Sequence, residues 1–168
     1  MKFSSNRKIL IALCVMFLSG VFANVNGQQV SAGPAVGETI DLLSFQSRSG
    51  QTLAQALKQH SLAMLVLVDP NCSTCISTKE NIDALRERVQ KARIAYFVVM
   101  VPDGGETQKY FDFADSLKLG TESFVWSNSE VKPPASLLMM TKPSHLQVTS
   151  EGLIVEKWSG TPPKDSGQ

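Results

Sequence analysis

Two cysteines separated by two residues, Cys72 and Cys75, are the side chains in this sequence best suited to chemistry. They lie in "VLVDPNCSTCIST" (66–78), between an apolar run and a segment with helical spacing. A pair at this spacing could be a redox couple, half of a zinc site or a structural disulfide. The spacing alone leaves all three open, so the neighbouring elements and the cellular compartment must decide.

The elements around the pair favour redox chemistry. The run "LAMLVLV" (62–68) predicts a strand buried on both faces, and Ile82, Leu85 and Val89 recur at the spacings of an amphipathic helix. Cys72 is therefore expected at or near a helix amino terminus, where unpaired N–H groups stabilise a thiolate. Cys75 follows about one turn later, close enough to resolve a mixed disulfide formed at the first cysteine.

The amino terminus predicts export. Residues 1–27 begin with Lys2, Arg7 and Lys8, continue as an apolar run and end in small residues, which is the order of a secretory signal. An uncleaved membrane anchor through residues 9–23 is the alternative, although a spanning helix needs about 20 apolar residues. Either reading predicts a periplasmic or other extracytoplasmic domain. Cys14 stays with the leader, and in an oxidising compartment Cys72 and Cys75 are expected to form a disulfide.

The charge balance of the chain after residue 27 argues against nucleic acid and anionic membranes as partners. Without residues 1–27 the chain keeps 13 basic and 15 acidic residues, with no basic patch, so neither nucleic acid nor an anionic membrane is indicated. We predict a linker over 28–35, one domain over 36–160 and a disordered polar tail over 161–168.

Strands and helices alternate along this domain. Strands are expected over 39–45, 62–68, 93–101 and 136–140, with helices over 51–60, after the cysteines, and around Tyr110–Leu117 up to Gly120. A hairpin turning at Glu151 and Gly152 closes the chain. The predicted fold class is α/β, a central mixed sheet flanked by helices with a C-terminal β-hairpin.

Other uses of the pair can be weighed on the sequence. Zinc needs two further ligands, and only the distant, single His60 and His145 remain, for which surface positions are expected. A structural disulfide closing so small a loop would stabilise little. Peroxiredoxins carry P-x-x-x-T/S-x-x-C, and counting from Pro70 places Ser77 where that chemistry needs cysteine.

From about Val36 to Gly160 the chain resembles the exported thioredoxin-like proteins of bacteria, the TlpA/redoxin group. The similar segments are "VGETIDLLSFQSRSGQTL", "LAMLVLVDPNCSTC", "KPPASLLMM" and "EGLIVEKWSG". The "DPNC" form is closest to the methylamine-utilisation accessory branch.

The resemblance implies a thioredoxin-like fold and an exported thiol–disulfide oxidoreductase without an organic cofactor or metal. Cys72 would be the nucleophile, Cys75 the resolving thiol, and Pro134, preceded by Pro133, the substrate-facing cis-proline. The partner would be a protein dithiol or disulfide, with a membrane reductant or oxidant as a second candidate. The Cys-Ser-Thr-Cys spacer holds no cation to stabilise the thiolate, which favours a reductant or a partner-specific exchanger.

Four residues depart from the family pattern. Asn71 replaces a tryptophan, and Val66 replaces a buried acid, so Cys75 would need another base. Glu80 replaces a helix-kinking proline, so a straight helix is expected. Pro133 has no N–H to offer a substrate chain.

Two rival functions follow from the same residues. The first is a copper-delivery factor of Sco type using Cys72, Cys75 and His145, because sulfur ligands suit Cu(I). The two-residue spacer argues against it, since that group has three residues between its cysteines. The second is a redox-inert binding module. A peroxiredoxin-like redoxin is the remaining alternative.

Overall fold

The computed structural model of the chain describes residues 33–104, 106–119 and 121–160. The predicted signal or anchor over 1–27, most of the 28–35 linker, the helix-closing Gly120 and the predicted tail over 161–168 lie outside these residues. Within the described ranges, no helix combines the length and the apolar character needed to cross a membrane.

A six-stranded mixed sheet forms the centre of the described fold. In chain order its strands are β1 (Phe45–Ser47), β2 (Leu62–Leu67), β3 (Ala95–Met100), β4 (Ser123–Trp126), β5 (Ser144–Thr149) and β6 (Ile154–Ser159). Across the sheet the order is β1-β4-β3-β2-β5-β6. The three central strands β4, β3 and β2 run parallel, and the other pairings are antiparallel. This confirms the predicted mixed sheet with a C-terminal hairpin.

Helices cover both faces of the sheet. They are α1 (Leu53–Leu57), α2 (Ser73–Ser77), α3 (Lys79–Lys91), α4 (Thr107–Leu117) and α5 (Ala135–Leu138). The residues of β2 alternate between two apolar cores, because successive strand side chains point to opposite faces. Leu65 packs in the core that holds α1 and α5, whereas Val66 packs with α3 and α4. The predicted arrangement of helices on both faces is therefore observed.

The prediction of a strand over residues 136–140 is wrong, because this segment begins in the short helix α5. Leu137 and Met140 are buried while Met139 between them is 70% exposed. Burial three residues apart is the spacing of a helical turn, not of a strand. The apolar run "LLMM" is too short for its composition to show this period.

The first strand is displaced from its predicted range. Only Phe45 of the 39–45 segment belongs to β1, and Thr39 instead makes a single antiparallel bridge to Leu153. The sequence also missed β4, four residues that pair with both β1 and β3. Three of its four residues are buried in succession, so a strand this short gives no alternation from which to recognise it.

The helix after the cysteines does not run straight, contrary to the expectation based on Glu80. It divides at Thr78, which has φ −103° and ψ 11° between α2 and α3. The Thr78 hydroxyl donates to the Thr74 carbonyl at 2.7 Å. A threonine hydroxyl that bonds back by four residues commonly bends a helix, so a proline is not required here.

Neighbouring segments of the chain pair with one end of each outer strand. Backbone groups of residues 37–40 bond to the hairpin, from the Gly37 N–H to the Ile154 carbonyl (2.8 Å) and from the Ile154 N–H to the Glu38 carbonyl (2.9 Å). On the opposite side, the Ser47 N–H of β1 donates to the Gln51 carbonyl at 2.8 Å.

Gly152 holds the covered hairpin turn, and its replacement by alanine should cost about 2–4 kcal/mol of unfolding free energy. Its φ is +83°, and an added Cβ would stand 2.6 Å from the Ile40 carbonyl oxygen. Gly50→Ala is the matched control, since Gly50 has φ +84° with nothing within 4 Å. Urea unfolding should show the larger loss for Gly152→Ala, and equal losses would contradict the close contact.

Candidate functional site

Cys72 and Cys75 form a disulfide at the start of α2. The S–S distance is 2.20 Å and the Cα atoms are 5.2 Å apart. Cys72 is the N-cap residue, and its Sγ accepts from the Cys75 N–H at 2.9 Å. The Cys72 N–H donates to the Asp69 carbonyl at 3.0 Å, which ties the cysteine to the end of β2. A backbone N–H thus already points at the sulfur that would carry charge after reduction.

Burial distinguishes the two sulfurs. Cys75 is fully buried in the core that contains Val66 and Ile82, whereas Cys72 is half-buried at its edge. A reactant from solution can therefore approach Cys72 but not Cys75. An intermediate bonded to Cys72 leaves Cys75 as the neighbouring thiol that can displace it.

A cleft of about 350 Å³ opens beside Cys72. Besides this cysteine, it is lined by residues from four loops or segments, namely Asp69, Asn71, Val101, Asp103, Leu138 and Lys142. Asp69 follows β2 and Asp103 follows β3, and these strands are parallel neighbours. Their carboxyl ends therefore meet at one edge of the sheet, where ligands of such sheets usually bind.

Hydrogen bonds fix both carboxylates of this cleft. One Asp69 oxygen accepts from the Asn71 N–H at 2.8 Å. One Asp103 oxygen accepts from the Tyr110 hydroxyl at 3.0 Å. Burial, followed by the hydrogen bond to Asp103, raises the pKa of Tyr110 to about 12, so this phenol remains a neutral donor at physiological pH.

The cis-proline predicted at Pro134 is at Pro143 instead. The Lys142–Pro143 bond is cis. Pro134 is the N-cap of α5, with φ −55° and its carbonyl accepting from the Leu137 N–H at 2.9 Å. The N-cap position suits proline because an N–H there has no helical partner. Pro133 and Pro134 are not among the cleft residues, and their substrate-binding role stays a prediction.

The residue before the cis bond is also different from the one expected. It is Lys142, whose backbone N–H is present, and not Pro133. The loss of a substrate-facing N–H, expected from the Pro133–Pro134 pair, therefore does not apply. The Lys142 ammonium donates to the Leu138 carbonyl at 2.9 Å, so side chain and backbone hold this part of the cleft together.

The expected surface position of His145 is wrong. Its side chain is fully buried, lies opposite Val66 in the β2–β5 ladder and stacks on Trp158 with ring centroids 5.2 Å apart. Neither ring nitrogen has a hydrogen-bond partner among the described residues. Burial lowers the pKa of His145 to about 4, because desolvation disfavours the imidazolium ion.

The structure does not assemble the copper site of the rival hypothesis. Among the residues it describes, no three histidine, cysteine, aspartate or glutamate side chains form a group that could hold a metal. His145 is therefore not joined to Cys72 and Cys75 in a ligand set. His60 lies near Phe97, with ring centroids 6.4 Å apart.

Two of the residues that differ from the pattern of the TlpA/redoxin group change the surroundings of the cysteines. Asn71, in place of tryptophan, is exposed and lines the cleft, so this wall is polar. Val66, in place of an acid, is fully buried in the same core as Cys75. The buried cysteine thus has an apolar neighbour where the family places a proton acceptor.

The cleft residues that the sequence did not single out are Asp69, Val101, Asp103, Leu138 and Lys142. A signal for the aspartates was present, because each closely follows an apolar run predicted to be a buried strand. Parallel neighbours in the sheet would have placed them together. The position of Leu138 and Lys142 depends on α5, which was predicted as a strand.

No family model matches this sequence. No curated protein matches it either.

Solved structures are similar in fold. The thioredoxin domain of a thiol-disulfide oxidoreductase from Bacteroides vulgatus superposes with a TM-score of 0.60 at 15% identity, over 76% of this chain and 91% of that one. A thio-disulfide isomerase from Thermus thermophilus superposes with a TM-score of 0.57 at 13% identity, over 78% of this chain and 90% of that one. A secreted disulfide oxidoreductase from Mycobacterium tuberculosis superposes with a TM-score of 0.50 at 12% identity, over 76% of this chain and 88% of that one. With its mixed sheet and the cysteine pair that opens α2, this chain has the thioredoxin-like fold.

Proposed function

We propose that this protein is a thiol–disulfide oxidoreductase that exchanges electrons with a partner protein through Cys72 and Cys75. The observation that carries the proposal is the unequal burial of a bonded pair, with Cys72 half-buried at a cleft and Cys75 fully buried behind it. A disulfide that only stabilises the fold has no need of a cleft at one sulfur. The similar structures of a thio-disulfide isomerase and of a thiol-disulfide oxidoreductase domain support the proposal.

The reaction begins with the reduced pair. The Cys72 thiolate attacks one sulfur of a partner disulfide, which forms a mixed disulfide and releases the other partner sulfur as a thiolate that takes up a proton. Cys75 then loses its proton and attacks the Cys72 sulfur. The Cys72–Cys75 bond forms, the second partner sulfur leaves and is protonated, and two electrons have passed to the partner.

Electron flow towards the partner is the direction that the cleft favours. The backbone N–H of Cys75 stabilises a thiolate at Cys72, but two carboxylates and one ammonium group line the cleft beside that sulfur. Like charge disfavours the thiolate, and a less stabilised thiolate makes the dithiol a stronger reductant. We therefore assign this protein the role of a reductant, with a membrane protein as a candidate donor.

Export is part of the proposal. The order of basic, apolar and small residues over 1–27 supports a signal, or an anchor through 9–23, ahead of the 28–35 linker and the domain over 36–160. The secreted Mycobacterium tuberculosis protein shows that a domain of this fold can act outside the cytoplasm. The "DPNC" segment favours placement in the TlpA/redoxin group, near the methylamine-utilisation accessory branch.

The reduction potential of the Cys72–Cys75 couple tests the proposal. The protein is equilibrated in thiol–disulfide buffers, and the reduced fraction is read by alkylation and mass. We expect a potential between about −300 and −200 mV, the range of reducing members of this fold. A value near −120 mV would make the protein an oxidant, and a couple that cellular thiols cannot reduce would contradict the proposed function.

A further inference from the structure

We infer that the cleft beside Cys72 receives a positively charged stretch of the partner protein, so that the preferred substrate is a disulfide with lysine or arginine next to the attacked cysteine. The inference rests on the proposed function and specifies the chemistry of its partner. It depends on Asp69 and Asp103, the two acidic residues of the cleft that contains the reactive sulfur.

Each carboxylate is held in position, and its second oxygen accepts no hydrogen bond from a described residue. Asp69 uses one oxygen to accept from the Asn71 N–H, and Asp103 uses one to accept from the Tyr110 hydroxyl. Neither aspartate takes part in an ion pair with a described residue. Two aspartates that pair with no cation among the described residues therefore line the cleft beside Cys72.

The two charges lie in one cleft. Asp69 and Asp103 both line it beside Cys72, and the Asp103 carboxylate accepts from the Tyr110 hydroxyl at 3.0 Å. A basic residue that enters this cleft would be attracted by both aspartates. Acidic residues on a partner would be repelled by both aspartates.

Lys142 does not neutralise this pair. It also lines the cleft, but its ammonium donates to the Leu138 carbonyl at 2.9 Å and forms no salt bridge with either aspartate. With two carboxylates against one ammonium, the cleft keeps a net negative charge. A complementary charge on the partner raises the rate of encounter more than it raises the final affinity.

A polypeptide fits this cleft better than a small ion. Cys72 and the two aspartates line the same cleft, and Met139, which follows the cleft residue Leu138, is an exposed apolar side chain. An extended chain with a cysteine and a nearby basic residue would contact the sulfur and the carboxylates together. Metal binding would need more ligands than the described part of the chain brings together.

The test compares two synthetic peptides, each with one internal disulfide. They are identical except that one cysteine is flanked by arginines in the first and by glutamates in the second. Pre-reduced full-length protein is mixed with each peptide, and the rate of a single turnover is measured. Rates with dithiothreitol correct for the intrinsic reactivity of the two disulfides.

The expected result is a preference for the arginine peptide of about three- to tenfold after correction, as screened contacts with two carboxylates would give. The preference should fall as salt is raised. Asp69→Asn with Asp103→Asn should abolish most of it, because asparagine keeps an acceptor for each internal hydrogen bond but removes the charge. Glu151→Gln, in the β5–β6 turn at the opposite end of the sheet, should leave it unchanged.

The outcomes separate this inference from the proposed function. Equal corrected rates for the two peptides, or a preference that survives the double substitution, would overturn the inference and leave the oxidoreductase activity standing. If reduced protein reacts with neither peptide, the proposed function fails, and the partner inference fails with it.

Discussion

Replacing Cys72 with serine is expected to abolish the reduction of insulin disulfides, with a loss of about a hundredfold or more because a hydroxyl is a far weaker nucleophile than a thiolate. Cys72 is the sulfur that the cleft exposes, and Cys75 is fully buried and cannot replace it. Turbidity from the released insulin chains, with dithiothreitol as electron donor, measures the effect. Ser73→Ala, between the two cysteines, is the control and should retain activity.

Replacing Cys75 with serine should give a different phenotype. Cys72 can still attack, but no neighbouring thiol displaces the partner, so mixed disulfides should accumulate. Non-reducing gels with mass spectrometry should find the trapped partner on Cys72. If the two variants behaved alike, or if both matched the wild type, the division of roles between the cysteines would be wrong.

The second large effect is a loss of folding stability at acidic pH that is caused by His145. The pKa of this buried imidazole is lowered to about 4, against 6.5 in an unfolded chain. Between these values the unfolded state binds the proton and the folded state does not. Above pH 6.5, His145 therefore takes nothing from the free energy of unfolding. As the pH drops towards 4, protonation of this histidine in the unfolded state lowers that free energy by up to about 3 kcal/mol for a shift of this size.

His145→Phe should remove most of this acid sensitivity. Phenylalanine keeps a ring for the stack on Trp158 and has no group to protonate. Urea unfolding of both proteins at pH 7 and pH 4.5 measures the difference. His60→Gln is the control, since His60 is only half-buried, and its acid sensitivity should match the wild type. An unchanged pH dependence in His145→Phe would assign the acid loss to other groups.

The parts of the fold that the sequence predicted correctly are long or strongly patterned. β2 and β3 are continuous apolar runs, and the β5–β6 hairpin turns at Gly152, whose positive φ requires such a residue. The position of the cysteines at the start of a helix also followed from local pattern. These features depend on neighbours in the chain, so one sequence is sufficient to recognise them.

The parts that were missed depend on tertiary contacts. Phe124 and Trp126 are strand residues because β1 and β3 lie on either side of them, not because four residues carry a period. The resemblance predicts the cis-proline at Pro134 because it places a strand directly after that residue. Once Ala135–Leu138 form a helix, that strand begins after Pro143 instead.

His145 shows the same limit in the candidate site. A single histidine in "KPSHLQVTS" has no feature in sequence that separates a buried position from an exposed one. Its burial follows from a register that sets it opposite Val66 and beside Trp158. Register is a property of the assembled sheet, so the sequence of β5 alone does not predict which residues it pairs with.

The backbone bonds between residues 37–40 and the hairpin close part of an outer edge of the sheet. A bare outer strand is a template on which another molecule can add a strand, and this is a common beginning of aggregation. Here Gly37 and Glu38 occupy the N–H and carbonyl of Ile154 that such a strand would need, while the Gln51 loop occupies part of β1. For the oxidoreductase proposed above, these contacts would limit strand addition by the disulfide-bearing chains with which it reacts.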